Sequence, residues 1–264
     1  MSVAAELSIA MLGRRDYDEM TAAQEDLVAR RQSGEINDLL LVLEHPPTYT
    51  RGRRTEPADL HHEAGWYRER GIEVFDSPRG GRVTYHGPGQ LVAYPILDLT
   101  GIGAQPGELG RADVSGFVAS LESAMIRTAA DLGVNAGAIT GLTGIWSGHG
   151  DPMPAGATAD SMAVPVARGE VKKIGSIGLK VSRGVTSHGI SINLDCDLAP
   201  FEDITSCGIE RCRATSILEQ TGSAPSVDEA GLALGGHLAE LIGREPVVVA
   251  PEVPGLSAAA TAKS

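Results

Sequence analysis

Cysteine is scarce in this 264-residue chain, and the three present, Cys196, Cys207 and Cys212, are odd in number and clustered late. A disulfide framework is thereby excluded, and the pattern suits a reducing compartment. Their spacing contains no C-x-x-C pair, and adding His188 supplies no paired-histidine motif, so no metal site is expected. Aromatic residues make up only 4% of the chain, which leaves few platforms for stacking nucleic-acid bases. Positive charge is in deficit: the net charge is −12, which opposes binding to a phosphate backbone. No apolar run approaches the ~20 residues needed to cross a bilayer. The opening MSVAAELSIAMLGRRDYDEM places its basic residues after a short apolar stretch, the reverse of a secretory signal. A cytoplasmic protein with no nucleic-acid or membrane partner is the expectation.

What remains is an ordinary globular composition, 42% hydrophobic and 21% charged. Helix and strand signals alternate irregularly. Asp16 can cap a helix with Tyr17, Met20, Gln24, Leu27 and Val28 on one face, ending near Gly34. The run LLLVLE, Leu39 to Glu44, reads as a buried strand stopped by Pro46 and Pro47. Gly71 to Leu99 reads as a meander of short strands with tight turns. A long helix is predicted from Ala112 to Leu132, stopped by Gly133. Two half-buried strands are predicted between Gly175 and Leu194, with a turn near Arg183 and Gly184. A last helix starts at Ser226, which has capping-box spacing to Glu229, and Val247 to Val249 adds a closing strand. Ser147 to Gly169 lacks periodicity and reads as a mobile insertion (147–169). Together these predict an α+β fold, a mainly antiparallel mixed sheet with packed helices, as a single domain over 1–250 followed by a disordered tail at 251–264.

Three segments carry chemistry. RGGRVTYHGPGQ, Arg79 to Gln90, holds four glycines and two arginines in twelve residues, either a ligand-approaching backbone or a plain glycine-rich hairpin. It is no P-loop, since G-x-x-x-x-G-K-[ST] is missing. Lys173 sits before the strand Ile177–Leu179–Val181, either held against the core or simply solvated. Cys207, in EDITSCGI, is next to glycine at the end of a polar stretch. A nucleophilic cysteine needs a cation nearby to favour the thiolate, whereas most free thiols are buried and inert.

At these residues the chain resembles the octanoyltransferase family of lipoate biosynthesis, also called lipoyl(octanoyl) transferase or lipoate-protein ligase B. The matching stretches are RGGRVTYHGPGQ (79–90), KIGSIGLKVSRGVTSHGISINLDCDL (173–198) and FEDITSCGI (201–209), with weaker ones at EHPPTYTRGR (44–53) and TGIWSG (143–148). The resemblance spans roughly Leu39 to Gln220. It implies a fold shared with biotin and lipoate protein ligases, and a cysteine–lysine dyad that moves octanoyl from acyl carrier protein to a lysine of a lipoyl domain. By position the dyad is Cys207 and Lys173, the lysine abutting I-x-x-I-G, rather than Lys172. The acyl-binding stretches map onto Arg79, Gly80, Gly81, Arg82, Val83, Thr84, Tyr85 and His86, onto Ser176, Ile177 and Gly178, and onto His188, Gly189 and Ile190. Ser176 stands where the family often has alanine, and the 147–169 insertion is longer than the family pattern.

The implied partners are acyl carrier protein and the lipoyl domains of 2-oxoacid dehydrogenase complexes and of the glycine cleavage H protein, with no cofactor. Two alternatives follow from the same fold: an ATP-dependent lipoate or biotin ligase, which would need no Cys207, and a non-catalytic lipoyl-domain-binding relative.

Overall fold

The computed structural model describes residues 5–102, 112–148, 153–154, 156–209 and 212–251, and for Cys207 the backbone alone. In chain order the elements are β1 (Glu6–Arg14), α1 (Tyr17–Gln32), β2 (Asp38–Glu44), β3 (Thr48–Arg51), α2 (Ala64–Arg68), β4 (Glu73–Asp76), β5 (Val83–His86), β6 (Gln90–Ile96) and α3 (Val114–Asp131). They continue with β7 (Ala136–Ile139), β8 (Leu142–Gly148), α4 (Ala159–Arg168), β9 (Val171–Ser182), β10 (Val185–Asn193), α5 (Ile217–Thr221), α6 (Val227–Ile242) and β11 (Glu245–Val249). The fold is α+β, as expected.

An eight-stranded sheet runs β11-β1-β2-β6-β10-β9-β8-β7, parallel only where β1 pairs with β11 and β2. The continuous apolar run of β2 is explained by burial on both faces. Leu40 and Val42 join the core beneath α3 and α6, while Leu39, Leu41 and Leu43 join the core beneath α1. A strand covered on one face only would alternate with polar residues. Helix α6 begins with the predicted capping box, in which Ser226 Oγ accepts from Glu229 N–H and the Glu229 carboxylate accepts from Ser226 N–H. Its Gly231 and Gly235 let the helix descend onto Val42 and Ile9, where a Cβ would clash.

Three expectations need correction. The Gly71–Leu99 region is not one meander: β4 and β5 flank β3 in a separate three-stranded sheet, with β4 parallel to β3, and only β6 enters the large sheet. The Ser147–Gly169 stretch holds α4, capped by Thr158 and ended by left-handed Gly169. Met162 and Val166 lie one turn apart and fill a core with Trp146, a pattern that the alanines, glycines and Pro165 obscure in sequence. Strand β1, where no element is predicted, occupies the sheet between β11 and β2. The cap read at Asp16 is positional: its side chain makes no capping hydrogen bond. The tail lies outside the described residues beyond Pro251.

Candidate active site

The hairpin of β9 and β10 places the site. Arg183 and Gly184 take left-handed backbone in its two-residue turn, and the ladder then pairs Leu179 with His188, Ile177 with Ile190 and Ser176 with Ser191. The segment from Arg79 lies across this hairpin, fastened by the Gly80 N–H to the Leu179 carbonyl (2.8 Å). Between them is a cavity of about 320 Å³, closed further by the turn at Gly141–Thr143.

Of the expected binding residues, Arg79, Gly81, Arg82, Val83, Thr84, His86, Ser176, Ile177, Gly178, His188, Gly189 and Ile190 line this cavity together with Lys173. Gly80 and Tyr85 do not. Gly80 serves as the backbone fastening just described. Tyr85 turns away because alternate residues of a strand face opposite sides, and it packs against Tyr49 (5.4 Å) and Phe201 (5.5 Å). Tyr17, Tyr94 and Arg54 line the cavity without having been singled out in the sequence. The tyrosines carry no signal beyond an apolar stripe and a strand; pairing distant in sequence brings them here.

Arg79 is a buried cation. Its guanidinium donates to the Thr50 carbonyl (2.7 Å), the Thr50 hydroxyl (2.8 Å) and the Gly80 carbonyl (2.8 Å). Two buried histidines, His86 and His188, feel its charge, and a third, His45, lies against His86 (5.7 Å). His45 Nδ1 faces the Arg15 carbonyl (2.7 Å) and must donate, so Nε2 accepts from the Tyr94 hydroxyl (2.7 Å). The Gln90 amide donates to the Tyr85 carbonyl and to Asn193, leaving its oxygen to accept from His86 Nδ1 (2.7 Å). Burial pushes His45 and His188 down to about 4 and His86 to about 3, with Arg79 adding to the effect on the last two. All three are neutral at pH 7, and His86 and His188 line the cavity.

That neutrality sets an acid limit on stability. Each imidazole protonates near its ordinary value of 6.5 once the chain unfolds but resists protonation while folded. Stability is therefore fully present above about pH 6.5 and is lost as the pH falls towards about 4. Calorimetry at pH 5 should find unfolding accompanied by uptake of about three protons from this cluster, and a melting temperature that drops between pH 7 and 4.5. A melting temperature flat across that range would contradict the burial of neutral histidines.

Lys173 is 8% exposed, held on β9 by its N–H to the Arg213 carbonyl (2.8 Å) and its carbonyl to the Thr215 N–H (2.9 Å). Its ammonium lies 5.4 Å above the Trp146 ring. Gly144 makes room for it: a Cβ there would stand 2.9 Å from Lys173 Cε. Strand alternation sends the neighbouring Lys172 to the other face, where it pairs with Glu219.

Cys207 occupies a 3-10 turn, Ser206–Gly208, whose first residue lines the same cavity as Lys173. The Cys207 side chain lies outside the described residues. Gly208 is left-handed (φ +70°) and sits directly against the Arg82 guanidinium, leaving no room for a Cβ. Arg82 is fixed in turn by a bidentate pair with buried Asp59 (2.7 and 2.8 Å) and by Glu56 (3.0 Å). Asp59→Ala should cost about 2 kcal/mol in denaturant unfolding, because it strips the main partner from a partly buried guanidinium. A loss under ~0.5 kcal/mol would show the pair to be idle. Cys196 is a different kind of thiol: burial raises its pKa to about 12. Among the described residues, no three His, Cys, Asp or Glu side chains are grouped to hold a metal, and no helix is long and apolar enough to cross a membrane.

A mixed sheet with helices on both faces and a cavity against its central hairpin define the lipoate-protein ligase fold. Lipoate-protein ligase A bound with ATP superposes with a TM-score of 0.66 at 16% identity, over 93% of this chain and 89% of that one. A putative lipoate protein ligase from T. acidophilum with bound lipoic acid gives 0.64 at 15%, over 93% and 89%. A family model for the lipoyl protein ligase A/B catalytic domain matches residues 16–239. Octanoyltransferases of Acidobacterium capsulatum and Corynebacterium jeikeium are 42% and 37% identical, covering 80% and 90% of this chain and 79% and 88% of their own. The chain belongs to the octanoyltransferase family and is an acyltransferase.

Proposed function

We propose that this protein takes an octanoyl group from the thioester of acyl carrier protein onto Cys207 and passes it to the lysine of a lipoyl domain. The observation that carries the reading is a buried lysine lining a cavity that is also lined by Ser206, the first residue of the turn that bears Cys207. The cavity's volume of about 320 Å³ is room for an eight-carbon chain beside the reacting thioester. Val83, Leu142, Ile177 and Ile190 give the wall apolar surface, and each buried CH2 adds about 0.8 kcal/mol to acyl binding.

In the first step the Cys207 thiolate attacks the thioester carbonyl, a new C–S bond forms, and the carrier's C–S bond breaks. Lys173 ammonium protonates the departing thiol and becomes neutral. In the second, the acceptor lysine's neutral amine attacks the Cys207 thioester and gives its proton to Lys173. The amide forms, the Cys207 C–S bond breaks, and thiolate and ammonium are restored. No ATP enters, since a thioester supplies the energy for the amide. Acceptance of a lipoyl domain is supported by family membership, and by a bi-partite archaeal lipoate protein ligase of like fold that was analysed with its E2 lipoyl domain.

Intact mass after mixing with octanoyl-acyl carrier protein tests the reading: one octanoyl group on the enzyme is expected, cleared on adding lipoyl domain. Failure to acquire the group, with ATP–pyrophosphate exchange in its place, would assign the chain to the ligases.

A further inference from the structure

Only two non-glycine residues among those described have left-handed backbone, Arg183 (φ 46°) and His188 (φ 54°). Arg183 is in a hairpin turn, where that is ordinary. His188 is in the middle of β10, where it is not. The neighbouring strand accounts for the break. Ile190 pairs with Ala93, and continuing that register two residues brings Pro95 opposite His188. Proline has no N–H to donate, and the Pro95 carbonyl is engaged by the Thr186 hydroxyl (2.6 Å). The ladder cannot close there, and the His188 N–H turns out of the sheet to the side chain of Gln24 on α1 (2.6 Å). The imidazole follows the backbone. Regular alternation would put it with Ile190 and Ile192 under α3 and α6, yet it meets Tyr94, from the α1-side core, edge-on at 6.3 Å. There it forms part of the cavity wall.

Gln24 is 2% exposed and outside the cavity. Among the described residues its amide nitrogen has no partner, while its oxygen accepts from the His188 N–H. We infer that Gln24 is a positioning residue: its carbonyl oxygen holds the His188 kink and thereby sets the shape of the acyl cavity and the chain length it takes. The inference rests on the acyl-transfer reading above.

Two readouts separate this from general stabilisation. Hydrogen exchange at the His188 amide, followed by NMR on the full chain, should quicken roughly tenfold or more in Gln24→Met. The ratio of kcat/KM for octanoyl- over dodecanoyl-carrier protein should fall about fivefold or more in the same variant, through KM rather than kcat. Destabilisation alone lowers the active fraction equally for both substrates and leaves that ratio unmoved. Gln24→Glu keeps the acceptor oxygen and replaces the amide NH2 with a carboxyl that burial favours in its neutral form, so it should retain the wild-type ratio. If Gln24→Met does not fold, Gln24→Asn, which withdraws the oxygen by one carbon, must shift the ratio in its place. An unchanged ratio in the folded variant, or equal loss in Gln24→Glu and Gln24→Met, overturns the inference. Absence of octanoyl transfer by the unaltered protein would instead overturn the functional reading, while the exchange measurement still decides whether Gln24 holds the kink.

Discussion

Cys207→Ala is expected to lower octanoyl transfer at least ~1000-fold and to abolish the acyl-enzyme seen by mass. The reasoning is chemical. No other described thiol suits the role: Cys196 is sealed in the core with its pKa raised to about 12, and Cys212 packs beside the Trp146 cluster. The 3-10 turn that carries Cys207 is set by left-handed Gly208 and braced by the Arg82–Asp59 pair, so a Cys207→Ala chain should fold as the parent does. Single-turnover assays with octanoyl-carrier protein and a lipoyl domain measure the loss. Transfer surviving within tenfold of the parent would remove the covalent route and leave direct attack by the acceptor amine.

Lys173→Met should lower transfer ~100- to 1000-fold, within the range typical for removing a general acid–base group. Methionine keeps the apolar stem against Trp146 and Gly144, so the cavity loses charge and a proton carrier more than volume. Lys172→Met is the matched control. That side chain is one residue away but on the other face, paired with Glu219, and its loss should change transfer less than ~2-fold. A rate profile against pH sharpens the test. The parent should require Lys173 as an acid in the first step and as a base in the second, a dependence that Lys173→Met erases. Equal defects in the two variants would mean that the β9 edge matters only for stability.

Several elements were legible because their causes are local. LLLVLE announces a strand buried on both faces, and Ser226 with Glu229 announces a helix start whatever surrounds it. The family resemblance, not periodicity, picks Lys173 over Lys172; the structure then shows β9 sending the two to opposite faces. The motif stretches at Arg79–His86, Ser176–Gly178 and His188–Ile190 converge on one cavity, though Gly80 and Tyr85 serve it from behind. Helix α4 was hidden because a proline and several small residues blunt its pattern, and its two core contacts are visible only once Trp146 is in place.

Local sequence by itself determined where chain segments extend, coil and stop, because dihedral preference, capping and the burial period act within a few residues. It left the roles of Cys207 and Lys173 open, and those roles are what the family resemblance implies. Only the tertiary structure decided that Tyr17 and Tyr94 wall the same cavity as Lys173, that β4 and β5 leave the large sheet, and that His188 turns against its strand. Those outcomes depend on strands distant in sequence pairing side by side, and on one proline facing one histidine across a ladder. The free energy that selects them belongs to the packed whole and to no single window of residues.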